Sequence, residues 1–185
     1  MTKRISVNLI IDFILLIVLI VGDQFTKYLA VINLKEKSAI PLISGVLELN
    51  YLENKGAAFG MLKNQKWFFI FVAIIILACI IYVLAKAPTE KKYIVLHILL
   101  TLIAAGAIGN MIDRMMLGFV VDFIYFKLIN FPIFNVADMY VTCATFILIF
   151  IILFGYNEND FKFLSFHTDK YRILDESSQG DKNDR

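Results

Sequence analysis

Cysteine is scarce in this 185-residue chain. The two present, Cys79 and Cys143, lie in separate apolar runs with no CxxC or Cys/His spacing around them. That excludes a disulfide framework and a thiolate metal site, and both read as small buried apolar side chains. Histidine is equally thin at two, and charged residues make up only 18% of the chain, with a net charge of +2. No broad basic face is available for nucleic acid, so no nucleic-acid partner is expected. The chain contains no H-E-x-x-H, no G-x-S-x-G and no cysteine beside a candidate catalytic histidine. Zinc-peptidase, serine-hydrolase and cysteine-nucleophile chemistry are set aside on that ground, and no metal or other cofactor is expected. There is no internal repeat and no low-complexity tract.

What the chain has in excess is apolar surface. It is 59% hydrophobic with a mean hydropathy of +0.74, too much for an ordinary soluble domain and typical of a multi-span membrane protein. Four apolar runs are long enough to span: Ile5–Gly22, Trp67–Ala85, Tyr93–Ile108 and Met139–Tyr156. The first follows Lys3 and Arg4 and is not followed by a small-x-small cleavage site, so it reads as an uncleaved span. Trp67 suits a membrane interface. Between the first two spans runs a long mixed connection, Asp23–Lys66. Within it Leu47–Tyr51 alternates apolar and polar residues, the period of a half-buried strand. Asn54–Gly60 suits a tight turn with close backbone approach. Four spans put both termini on one side. The basic residues Lys3 and Arg4 and the Lys86–Lys92 connection place that side in the cytoplasm. Lysines in the first long connection argue the other way, and the short connection is given more weight. Residues 157–185 read as a polar cytoplasmic tail appended to a single integral-membrane domain, residues 1–156.

Polar residues in so apolar a chain are the informative ones. Asn8, Asp12 and Asp23 share one face of the first helix, which should look into the bundle. Asp23 and Lys27 stand at i, i+4. His97 reads as a packing or bundle-facing residue. The densest cluster is Gly106–Asp138, with three carboxylates, three asparagines and an arginine. Gly106, Asn110, Asp113 and Arg114 form one helical stripe. Gly106 admits a neighbouring backbone, Asp113 and Arg114 should reach different partners, and Arg114 can hold a carbonyl or carboxylate with its forked donors. Phe119–Ile124 reads as a short strand in which Asp122 is flanked by large apolar groups, a setting that favours its neutral form. Asn135 is a good helix N-cap with Asp138 as its capping-box partner, and a helix N-terminus favours a negative charge there. Two carboxyls biased in opposite directions suit an acid/base pair that activates water.

At this point the chain resembles the lipoprotein signal peptidase (signal peptidase II) family. The resemblance rests on five boxes in order: DQFTK (Asp23–Lys27), NKGAAFG (Asn54–Gly60), GAIGNMIDR (Gly106–Arg114), VVDF (Val120–Phe123) and FNVAD (Phe134–Asp138). It implies a mainly α membrane protein with four transmembrane helices and a small extracytoplasmic β-containing cradle. It also implies an aspartic endopeptidase of the bacterial cytoplasmic (inner) membrane, with its active site near the outer face. Such an enzyme cleaves prolipoproteins just before a diacylglyceryl-modified cysteine. By the same resemblance Asp122 and Asp138 are the catalytic dyad. Asn54, Gly106, Asn110, Arg114, Asn135 and Ala137 line the site, and Asp23, Lys27 and Asp113 support it. The implied partners are diacylglyceryl-modified prolipoproteins and membrane lipid, and a monomer is expected. Met139 departs from the small polar residue common after the last box. Two other readings of the same residues stay open: a proton-coupled transporter using Asp12, Asp23, Asp122 and Asp138 as a relay, and a non-catalytic scaffold stapled by its polar stripe.

Overall fold

A computed structural model describes residues 7–56, 62 and 64–164. The expectations for Lys3, Arg4, Ala57–Gly60, the Asn8 side chain and the tail beyond residue 164 lie outside the described residues. Four helices carry the fold: α1 (Val7–Leu34), α2 (Lys66–Lys86), α3 (Ile94–Met116) and α4 (Val136–Phe154). Each is long and apolar enough to cross a membrane. Three strands complete it: β1 (Ile40–Ile43), β2 (Leu47–Asn54) and β3 (Val120–Phe126), antiparallel in the order β1-β2-β3.

α3 is the centre. Half of its apolar window is buried, against 11% for each of the other three spans. α1, α2 and α4 all pack on it. The outer faces of those three helices, from Ile10 and Phe13 to Phe150 and Leu153, remain exposed. In a membrane, lipid covers such faces, so apolar residues are needed all round each helix. The same fact corrects the expectation for the cysteines. Cys79 and Cys143 are free and exposed on the outer surfaces of α2 and α4 rather than buried, because in a bilayer an apolar neighbourhood does not imply a protein core.

Two helices run farther than hydropathy alone suggests. α1 continues eleven residues past Asp23 to Leu34, so Asp23 and Lys27 sit within a helix and not in a connection. α3 continues past Ile108 to Met116 and carries the whole Gly106–Arg114 stripe. In both cases charged residues that end the hydropathy run, Asp23 and Lys27 on α1 and Asp113 on α3, are buried, so helix formation is not interrupted. The polar stretch after Tyr156 opens with a short 3-10 helix, Glu158–Leu164. Its Phe163 packs against the cluster around Tyr93 and Leu96, and its Asp160 pairs with Lys92.

Gly106 fixes how closely α3 and α4 approach. A Cβ at this position would lie 2.4 Å from the Ala137 carbonyl oxygen and 2.7 Å from Val141 Cγ2. The first neighbour is backbone and cannot rotate away. Gly106→Ala is therefore expected to destabilise the protein by about 1–3 kcal/mol. It should also displace the start of α4, where Asp138 sits. A lowered thermal midpoint together with reduced activity is the expected result, and an unchanged midpoint would contradict this packing.

Candidate active site

The two strongest carboxylate candidates reach one place by different routes. Asp122 lies on β3, opposite Leu52 of β2, with Asn54 paired to Val120 two residues along the ladder. Asn54 and Asp122 thus share a face of the sheet, close enough for diagonal contact, and Asn54 Nδ2 donates to Asp122 Oδ2 at 2.8 Å. Beyond β3 the chain returns through a bridge between Ile124 and Phe134. That bridge sets Asn135 beside Asp122, and Asn135 Nδ2 donates to Asp122 Oδ1 at 2.6 Å.

Asn135 also starts α4 as its N-cap, in a full capping box with Asp138. Its Oδ1 accepts from Asp138 N at 3.0 Å, and its backbone N–H donates to Asp138 Oδ2 at 3.2 Å. One residue therefore holds both carboxyls. The capping reading and the site reading of Asp138, which compete at the level of sequence, are both satisfied by the same geometry. Asn110 completes the frame, donating from Nδ2 to Asp138 Oδ1 at 2.8 Å.

Beneath the carboxyls lies a buried ion cluster. Lys27 Nζ sits 2.9 Å from Asp23 Oδ2 and 3.1 Å from Asp113 Oδ2. It also donates to Asn110 Oδ1 at 2.9 Å. All three charged side chains are at most 3% exposed. A buried cation with good geometry to two carboxylates offsets their desolvation. Each carboxylate then uses its remaining capacity on backbone. Asp23 Oδ1 accepts from Ala137 N at 2.9 Å, and Asp113 Oδ2 accepts from Val121 N at 3.0 Å. Ala137 precedes Asp138 and Val121 precedes Asp122, so the Lys27 cluster anchors the backbone beside both acids.

Arg114 takes a separate position, as its neighbour Asp113 requires. Its guanidinium lies over the Phe69 ring, 4.6 Å from the centroid, and faces the Asn110 and Gly56 carbonyls. Gln24, absent from the sequence-based site, donates to the Gly109 carbonyl and to Asp23 and Asp113. Its place inside the DQFTK box was the available signal. Phe69 carried none, since only the fold brings it to Arg114.

Asp122 sits in a dry environment at the sheet. It is 1% exposed, and burial, with the nearby Asp138 charge adding to it, pushes its pKa up to about 7 despite the Asn54 and Asn135 amides. Asp138 is only half-buried.

The family model described as "Signal peptidase (SPase) II" matches residues 15–154. The chain belongs to the signal peptidase II family. It is accordingly a peptidase, and with four apolar spans a multi-pass bacterial membrane protein. Among its relatives, the lipoprotein signal peptidase of Clostridioides difficile (strain 630) is 43% identical over 143 residues, 77% of this chain and 95% of that one. That of Caldanaerobacter subterraneus subsp. tengcongensis is 45% identical over 133 residues, 71% and 88% of the two chains. A solved bacterial membrane enzyme superposes with a TM-score of 0.69 at 30% identity, covering 84% of this chain and 99% of its own. A second reaches 0.67 at 31% identity over 80% and 92%. Membership in this family sets aside the transporter and scaffold readings.

Proposed function

We propose that this member of the signal peptidase II family is an aspartic endopeptidase for prolipoproteins, cutting just before the diacylglyceryl-modified cysteine. The observation that carries the proposal is the convergence of Asp122 and Asp138 on Asn135. In this reading the pair shares one proton. The ionised partner takes a proton from water as the water oxygen attacks the scissile carbonyl carbon. The neutral partner gives its proton to the carbonyl oxygen. Collapse of the tetrahedral intermediate breaks the C–N bond, and the proton taken from water passes to the leaving amine. The roles belong to the coupled pair.

Asn54, Asn110 and Asn135 hold the carboxyls in place, and Arg114, propped on Phe69, is positioned to receive a substrate carbonyl. All of these groups lie at one end of the bundle, where α1 and α3 approach their C-termini and α2 and α4 begin. The site is assigned to the outer face of the cytoplasmic membrane, with both termini in the cytoplasm, the enzyme acting as a monomer among lipid, and residues 1–156 forming the peptidase domain.

The test uses purified protein and one prolipoprotein prepared with and without the diacylglyceryl group. The modified form is expected to be cut immediately before its cysteine and the unmodified form to persist. Equal cleavage of both, or cleavage elsewhere, would overturn the assignment.

A further inference from the structure

Arg114 carries several N–H donors in a rigid fork and commits little of it. Nη1 faces the Asn110 carbonyl at 3.4 Å and Nη2 faces the Gly56 carbonyl at 3.5 Å. Both are longer than the ~2.7–3.2 Å of a good N–H···O bond. Among the described residues no carboxylate forms an ion pair with it. Asp113, its neighbour in sequence, is taken by Lys27 and by the Val121 N–H. The charges of Asp138 and Asp122 act on Arg114 without direct pairing.

What seats the guanidinium is an aromatic ring. Its Cζ lies over Phe69 at 4.6 Å from the centroid, inside the ~6 Å reach of a cation–π contact. Phe69 is in the first turn of α2, which starts at Lys66. Its ring in turn meets Phe68 edge to face at 5.6 Å. Phe69 and Arg114 are both half-buried, which strengthens such a contact relative to an exposed one.

The kind of partner matters. A carboxylate would engage the N–H fork and balance the positive charge. A ring holds the cation through its π-face and accepts none of the in-plane hydrogen bonds. The fork and the charge stay available to an incoming carbonyl.

We propose that Phe69 is a positioning residue of the reaction, acting through Arg114 by holding the guanidinium in place without neutralising it. The inference rests on the proposed prolipoprotein activity and deepens it. It also draws α2, which carries no other residue assigned to the site, into the catalytic geometry. A positioning group of this kind matters because a small misplacement of a reacting partner is costly in rate.

The experiment measures kcat and KM for one diacylglyceryl-modified precursor in nanodiscs of fixed lipid. Phe69→Leu should lower kcat about tenfold and leave KM within about twofold. Phe69→Tyr keeps the ring face and should stay within about twofold of wild type. Pentafluorophenylalanine at position 69 keeps the ring shape and reverses its quadrupole, so it should lose as much as leucine does. Packing alone would leave that form active. Phe71→Leu, at an exposed position on the same helix, should change neither constant. In an Arg114→Gln background Phe69→Leu should have no further effect, because the ring then has no cation to place. Full activity of Phe69→Leu or of the pentafluoro form would overturn the inference and leave the peptidase intact. So would a Phe69→Leu loss equally large in the Arg114→Gln background. Normal cleavage by Arg114→Gln would remove Arg114 from the site and this inference with it. Failure of the wild type to cleave the precursor would overturn the function and this inference together.

Discussion

Asp122→Asn and Asp138→Asn should each slow prolipoprotein cleavage by about 10³-fold or more, within the ~10²–10⁴-fold range typical of a lost general acid or base. An amide can neither take the proton from water nor supply one to the carbonyl oxygen. The double variant should be little worse than either single one, because the two groups act as a unit. The fold should survive both changes. At position 138 an asparagine still offers an oxygen to the Asn135 N–H and leaves the Asn135-to-Asp138 cap bond intact. At position 122 it still offers one acceptor to the amides of Asn54 and Asn135. A gel following the precursor, with the thermal midpoint of the same preparation, separates chemistry from stability. Normal processing by either variant would remove that residue from the dyad.

Lys27→Met is expected to cost about 3–5 kcal/mol of stability, the usual result of leaving buried charge without its partner. Here the loss is doubled in kind, because Asp23 and Asp113 both face Lys27 Nζ. The consequences reach the site directly. Asp23 holds the Ala137 N–H and Asp113 holds the Val121 N–H, so unbalanced carboxylates loosen the backbone beside both acids. Lys27→Met should therefore lose thermal stability and activity together, whereas the dyad substitutions lose activity alone. Adding Asp23→Asn to Lys27→Met removes one uncompensated charge and should recover part of the midpoint. A Lys27→Met protein as stable as wild type would refute the buried ion cluster.

Much of this arrangement was legible from local pattern. The four spans follow from hydropathy, the alternation at Leu47–Tyr51 falls in β2, and Phe119–Ile124 largely coincides with β3. The Asn135–Asp138 capping box needs only its own four residues. What was not legible depends on contacts far apart in sequence. Nothing near Asn54 says that its amide will meet Asp122, 68 residues on. His97 reads as inward-facing, but its partner Asp12 is on another helix. The extensions of α1 and α3 were hidden because inward polar residues lower hydropathy without breaking a helix. The cysteines were misplaced because the same apolar signal describes a core and a lipid-facing surface.

The sharing of a proton between Asp122 and Asp138 is tested most directly by the pH dependence of kcat for a diacylglyceryl-modified precursor. Asp122 is pushed up to about 7 by burial, so the required proton is present below that pH and lost above it. The rate should hold below about 7 and fall by about tenfold per pH unit above it, with a second fall in acid as the partner also becomes neutral. A rate that stays level or rises as pH climbs from about 6 to about 9 would contradict the shared proton.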